Sequence, residues 1–387
     1  MAVEYGKWQK IERKELTPPI PFGVEKIEII FTTYGSKNDG SGAMNNEGMV
    51  YGGKYSFKIS YANNTPPATK SIVWEFSYKT RDGKSVLKSF DGPIFNCDNL
   101  DYCGQTISFY AYVKNKQTTK AKLDVFCHYR FKWIDRNNLK NQLSSRKTNP
   151  YIDQGDSSLC GIAVIAYLLC KNDYNTYEQY ISDMHQYGEA TIKKTDYSIK
   201  IDSDEHLLNY KTTDKEYPKQ SSFYNSHLPI WEVDFLFLTT IRDHLNDFWD
   251  YDPDALNVGG IEEGLAGLSL PKDIAKMMEK ILGYSKIIND TNLFTSKWNG
   301  AKDSFTELNN KLTNGYKIAL LIEVDNFTYN KKEFFSKPTH WVILEKISIN
   351  ESKKTITLEV FTWAKIESWT VSFEVFKDGY YGYVAGK

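Results

Sequence analysis

The stretch Gln154-Gly155-Asp156-Ser157-Ser158-Leu159-Cys160-Gly161 runs into the nearly all-apolar segment Leu159–Leu169, and this junction decides how the second half of the chain is read. The apolar run is too long for a lone strand and lacks strong β bias, so it predicts a buried helix. Three candidate caps, Asp156, Ser157 and Ser158, stand just before it. Cys160 therefore opens the helix. A helix N-terminus carries roughly half a positive charge and unpaired N–H groups, which favours a thiolate and lowers its pKa. The same N–H groups can hold an oxyanion, and Gln154 brings a side-chain donor on the approach loop. Cysteine is also among the most buried residue types, so a structural thiol is the plain alternative; Cys170, deep in the same helix, illustrates it.

Working outward, helices are expected at Tyr174–Tyr187, Phe235–Phe248 and Pro271–Leu282, the last with Pro in its first turn and Gly283 just past its end. Strands are expected at Lys317–Val324, His340–Ile347, Thr355–Trp363 and Trp369–Phe376. Helices first and an antiparallel sheet after make an α+β domain over 151–387. Upstream, alternating runs at Lys26–Thr33, Lys54–Tyr61, Ser71–Lys79, Thr106–Lys114 and Ala121–Trp133 predict an all-β sandwich over 24–136, Ig-like in architecture. Turn signals separate these runs at Asn38-Asp-Gly, Asn63-Asn-Thr-Pro-Pro, Arg81-Asp-Gly and Asp91-Gly-Pro. Residues 1–23, ending near Pro18-Pro19-Ile20-Pro21, read as an arm, and 137–150, rich in Asn, Lys and Ser, as a linker. Charge divides similarly: residues 1–145 carry 21 basic and 14 acidic residues, the remainder 27 and 35.

A nucleophilic cysteine needs a base. Of six histidines, His128 lies on the polar side of an expected strand, and His185, His206, His227 and His244 lie in polar, helical or irregular stretches. His340 opens the apolar strand in Pro338-Thr-His-Trp-Val-Ile-Leu, where a sheet rim can face a helix N-terminus.

Gln154-Gly155, then Cys160-Gly161 opening an apolar helix, then Thr339-His340-Trp341 late in the chain resembles the papain-like cysteine peptidase superfamily. Gln-Gly ahead of the Cys is similar to papain itself. Cys-Gly running into an aliphatic helix is more similar to the bacteriocin-processing and staphopain-type bacterial branches. The resemblance spans about 150–387 and implies Cys160 as nucleophile, His340 as base and later acid, and Gln154 as oxyanion donor. It implies no cofactor and no metal. Three departures stand out. The Cys-to-His spacing exceeds the roughly 130–150 residues of papain-type enzymes, which implies a helical insertion around 200–300. Ile162 follows Cys160-Gly161. The usual Asn or Asp that orients the His is missing.

The third departure has a geometric reading. A hairpin turned at Asn350–Lys353 pairs the face of His340, Val342 and Leu344 with that of Ile356, Leu358, Val360 and Thr362. This brings Thr362 or Ala364 opposite His340, so the orienting group is Thr362 Oγ, a backbone carbonyl, or a group from elsewhere such as Glu367. Trp363 or Trp369 could shield the histidine, or be plain core aromatics.

With 48 basic and 49 acidic residues, of which only six are Arg, a general nucleic-acid binder is not expected. No membrane span and no cleavable signal peptide are expected. Five cysteines, at 97, 103, 127, 160 and 170, do not read as a disulfide scaffold, and synthesis in a reducing cytoplasm is the expectation. Cys97, Cys103, Cys127 and His128 invite a zinc reading, but neighbouring residues on a strand point oppositely. Asp250-Tyr-Asp252-Pro-Asp254 starts like a calcium loop but lacks its Gly and Glu; Asp202–His206 reads as a solvated loop. The reaction implied is thioacyl chemistry on a protein or peptide. Its alternatives are a peptidoglycan amidase, a protein deamidase or transglutaminase, and a non-catalytic binding protein on the same scaffold. A bacterial effector or toxin exported without a cleavable signal, with an immunity or inhibitor protein as partner, is the matching biological role.

Overall fold

The computed structural model describes residues 23–30, 48–62, 71–115, 117, 120–155, 157, 159–202, 206–209, 230–245, 269–330 and 339–387. The turns expected at Asn38 and Asn63, nearly all of the arm, the caps Asp156 and Ser158, His227 and the Asp250 loop lie outside them. Two compact units divide the chain after Cys127.

Among its described residues the first unit is all-β apart from short 3-10 turns. β1 (Val24–Ile30), β2 (Lys54–Tyr61) and β5 (Ile94–Asn96) form one antiparallel sheet in the order β1-β2-β5. β4 (Ser85–Ser89), β3 (Ile72–Lys79), β6 (Gln105–Val113) and β7 (Ala121–Cys127) form the other, in the order β4-β3-β6-β7. Alternation sends the aromatics of both sheets inward, where Phe57 and Phe95 of the first meet Phe109 of the second at ring distances of 4.6 and 4.9 Å. β4 and β5, short and partly polar, have no expectation in the sequence.

Two boundaries differ from expectation. The alternation through Trp133 does not continue the strand: β7 ends at Cys127, and the amides of Arg130 and Phe131 bond instead to the carbonyls of Gln186 and His185. Residues 137–150 are not a linker. Arg136–Arg146 is helix α1, capped by Asp135 and buried through Leu139 and Leu143.

The second unit is built on a six-stranded antiparallel sheet in the order β10-β15-β11-β12-β13-β14. Its strands are β10 (Ile287–Thr291), β11 (Lys317–Ile322), β12 (His340–Asn350), β13 (Thr355–Thr362), β14 (Lys365–Ser372) and β15 (Tyr380–Gly386). β8 (Glu189–Ile192) and β9 (Tyr197–Lys200) form a separate hairpin. Alternating residues of the large sheet feed two cores. Leu321, Trp341, Ile343 and Phe361 share one core with α1, α2 (Cys160–Asn172), α3 (Tyr174–Tyr187), α4 (Glu232–Leu245) and α5 (Pro271–Lys280). Leu320, Val342, Leu344, Val360 and Val371 share the other with α6 (Ala301–Thr313), α7 (Val324–Tyr329) and α8 (Phe373–Gly379). The last expected strand is displaced: Lys365–Ser372 is β14, and Ser372 caps α8 immediately after it.

Helix α2 is apolar all round because every residue from Cys160 to Cys170 is buried. Its Tyr167 ring lies flat on Phe361 of β13 at 3.9 Å, and the Tyr167 hydroxyl and Lys171 ammonium both bond to Glu345 of β12 at 2.7 Å. Glu345 sits at a register shift between Leu344 and Lys346, a bulge that aims its carboxylate at the helix. Seven helical residues rise about 10 Å, and the four strand residues from Trp341 to Glu345 about 13 Å. Helix and strand therefore run side by side in one direction, and Cys160 and His340 emerge at the same end.

Candidate active site

The loop before Cys160 is tied down from below. The amide of Asp153 bonds to Asp234 Oδ2 at 2.9 Å, and Asp234 also pairs with Arg146 through two guanidinium nitrogens. Burial pushes the Asp234 carboxyl up to about 6, outweighing the pull of that guanidinium. Gly155 then takes a left-handed φ of 56°, and its amide bonds to Asp153 Oδ1. Gln154 is buried, and its amide nitrogen donates to the Ser157 carbonyl at 2.9 Å. One N–H of that amide remains for another acceptor.

Leu159 is the N-cap of α2 and supplies no side-chain cap. The backbone amides of Trp341 on β12, then of Gly161 and Cys160 in the first turn of α2, lie near enough to favour a Cys160 thiolate electrostatically. The Trp341 nitrogen is bonded to the carbonyl carbon of His340, so the thiol lies within one residue of the histidine backbone. Cys160 is only 3% exposed, and burial outweighs the three amides: the thiol is pushed up to about 11. This corrects the expectation of a lowered thiol pKa. A half charge at a helix end does not offset the loss of water around a buried sulfur.

His340, 5% exposed, begins β12, and its Nε2 lies 2.8 Å from Thr362 Oγ1 at the end of β13. The pairing Ile343↔Phe361 and Leu344↔Val360 sets this diagonal contact on the face of Val342, Leu344 and Val360, whereas Trp341, Ile343 and Phe361 of the other face pack with α2. His340 and Thr362 stand at the strand ends, at the rim of the sheet. With Nε2–H donating to Oγ1, the ring's lone pair falls on Nδ1. The ring makes no hydrogen bond to the Cys160 sulfur. Burial lowers the imidazole to about 4, while the Glu367 carboxylate pulls the other way. Glu367 is itself held by Lys365 and by Trp369 Nε1, both at 2.7 Å.

Trp363 lies over the imidazole, centroids 4.7 Å apart and planes 20° from parallel. Trp363 and Ala364 are the two central residues of the turn joining β13 to β14, with Thr362 paired to Lys365. Both have positive φ, 40° and 60°, where Asn-Gly would be the unstrained choice. Trp369 packs in the other core.

Ser269, just ahead of α5, is a site neighbour the sequence reading missed. Its carbonyl accepts from Trp341 Nε1 at 2.9 Å, and its side chain fills the space beside Gly161, where an added Cβ would stand 2.4 Å from Ser269 Cβ. No motif marks it; only the packing does. Among the described residues, no group of three or more His, Cys, Asp or Glu is arranged to hold a metal ion. His185 is buried between Arg136 and the Ile134 carbonyl, and His244 meets the Tyr197 hydroxyl at 3.1 Å. No helix among the described residues is long and apolar enough to cross a membrane. No family model, curated protein or solved structure matches the chain.

Proposed function

We propose that the second unit is a papain-like cysteine hydrolase, with Cys160 as nucleophile and His340 as base and then acid. The observation that carries this reading is the preset imidazole: Thr362 holds Nε2, Trp363 covers the ring, and the next amide in the chain is among those that favour a Cys160 thiolate. Such fixing of a base by a third group is the general logic of activated nucleophiles.

In this reading the Cys160 S–H proton passes to His340 Nδ1 as the sulfur bonds to a peptide or amide carbonyl carbon. The carbonyl electron pair moves onto oxygen, where the Cys160 amide and the remaining N–H of Gln154 receive it. The imidazolium then protonates the leaving nitrogen, the C–N bond breaks, and a thioester is left. Water, deprotonated by the same ring, hydrolyses it and restores the thiol. With the thiol at about 11 and the imidazole at about 4, the resting pair is neutral, and the proton moves only as substrate engages. Peptide cleavage leads, with amidase, deamidase and transglutaminase chemistry open to the same thioester. The first unit is proposed as an Ig-like targeting module of an exported effector.

A second reading, a binding protein on an inactive scaffold, draws on the near-complete burial of Cys160 and His340. A dipeptidyl chloromethyl ketone separates the two. Hydrolase action gives one adduct, on Cys160, that is lost in His340→Ala. Equal labelling of wild type and His340→Ala, or no labelling beside intact folding, supports the inactive scaffold.

A further inference from the structure

The described residues of the first unit hold three cysteines, and all three are wholly buried at one end of the sandwich. Cys97 Sγ and Cys127 Sγ are 3.4 Å apart. Cys103 also reaches the Cys127 thiol. The cluster is fixed by backbone rather than by chance rotamers. Cys97 follows β5 and exchanges bonds with the segment ahead of β2: Gly52 N–H to the Cys97 carbonyl at 2.7 Å, Cys97 N–H to the Gly53 carbonyl at 2.9 Å. Cys127 closes β7, and the same segment holds it, through a bridge between Met49 and Cys127 and a bond from Met49 N–H to the Phe126 carbonyl. Gly104, next to Cys103, donates to the Cys127 carbonyl at 2.8 Å. The two sulfurs at 3.4 Å thus belong to opposite sheets, one extending β5 and the other ending β7.

The catalytic reading does not use these thiols, and a core of Phe57, Phe76, Phe95 and Phe109 gives no reason to gather three sulfurs. We propose that Cys97 and Cys127 are a disulfide-forming site that locks the two sheets together. Each thiol gives up one hydrogen to a small disulfide donor of the glutathione class. The S–S bond forms between Cys97 and Cys127, and the donor's own bond is reduced to two thiols. Passage goes through a mixed disulfide on one cysteine, which the second thiolate displaces. Because the sulfurs are sealed from solvent, exchange takes place while the sandwich is still open, and the closed core then shields the bond from reductants. The cross-link closes a loop of about 30 residues, a length at which denatured-chain entropy is restricted substantially. Cys103, the odd member, is left as a thiol.

The test uses the full chain. The protein is unfolded under reductant, then refolded either in a mixture of reduced and oxidised glutathione or in reductant alone. The chain is then denatured at once in excess N-ethylmaleimide, so that every remaining thiol is blocked, and peptides are mapped without reduction. The expected result in the glutathione mixture is a single cross-linked peptide joining Cys97 to Cys127, 2 Da lighter than its two parts, with Cys103, Cys160 and Cys170 blocked. The first unit should also unfold several degrees higher than in the reduced protein. Cys103→Ser should keep the link, and Cys97→Ser should lose both link and thermal gain. Blocking of Cys97 and Cys127 in the glutathione mixture would overturn the proposal, as would a link from Cys127 to Cys103, or loss of the link in Cys103→Ser. The wild-type map decides the matter even where a variant fails to fold.

Discussion

Trp363 lies flat against His340 at 4.7 Å and does so from a left-handed backbone, φ 40°, that a tryptophan rarely adopts. Its neighbour Ala364 shares the strain at φ 60°. Backbone held in such regions costs on the order of 1–3 kcal/mol and persists only where surrounding structure imposes it. Ala364→Gly should therefore stabilise the second unit by about 1 kcal/mol, read as a shift in the urea midpoint, and leave activity near wild type. A destabilised variant would show that the alanine methyl has a packing role that outweighs its strain.

Thr362 is the hydrogen-bond partner of Nε2, and a neutral hydroxyl steadies an imidazolium less than a carboxylate does. A graded loss of rate is expected. Cys160→Ala and His340→Ala should abolish turnover. Gln154→Ala should cost about 10²–10³-fold, the usual size for an oxyanion donor. Thr362→Val should cost roughly tenfold or less, as for one neutral hydrogen bond. Rates on purified variants with unchanged thermal unfolding check the series; a Thr362→Val protein as inert as Cys160→Ala would make the threonine indispensable.

The face matching behind Thr362 was legible because His340, Val342 and Leu344 and their counterparts on β13 alternate cleanly. The bulge at Glu345, which fixes the parity of that pairing, leaves no mark in the sequence. Helix α1 was hidden because Arg136–Arg146 has only Leu139 and Leu143 as apolar residues, and its anchor, Arg146 on Asp234, is 88 positions distant. The strand expected to run to Trp133 overshot because Phe131 alternates correctly but is claimed by the core of the second unit. The thiol's pKa went the wrong way for a related reason. A helix N-terminus is visible in sequence, whereas the depth at which the fold buries it is not.

Two buried histidines, His340 and His185, lower stability in acid, while Asp234, raised to about 6 by burial, works the other way below that pH. Burial holds His340 at about 4, and burial together with the Arg136 guanidinium holds His185 at about 3. Both lie below the unfolded value near 6.5, so the unfolded chain binds more protons in between. Their contribution is fully present above pH 6.5 and is lost as pH falls toward 4 and 3. For His340 the loss is about 3 kcal/mol, at 1.36 kcal/mol per unit. Urea unfolding at pH 7.5 and 4.5 should show the drop, and His340→Gln should reduce it. An equal drop in that variant would place the acid sensitivity elsewhere.

Gly161 has no room for a methyl group: an added Cβ would meet Ser269 Cβ at 2.4 Å and Ile274 Cδ1 at 2.9 Å. Gly161→Ala should destabilise the unit by about 1–3 kcal/mol, as overpacked cores do. It should also lower the rate by tilting the first turn that carries Cys160. Full stability with full activity would mean that α5 moves freely away from α2.

Strand β15 pairs with β10 on one side and β11 on the other, and every residue in it is buried. Where it crosses β10, an added Cβ on Gly382 would stand 2.0 Å from the Asp290 carbonyl, so only glycine passes there. The segment that joins the sheet's two parts is thus the last of its strands to leave a ribosome. Until residues 380–386 emerge, β10 has no partner and the β11 edge lies open. Synthesis therefore leaves the sheet that carries His340 without its joining strand until Gly386 has emerged.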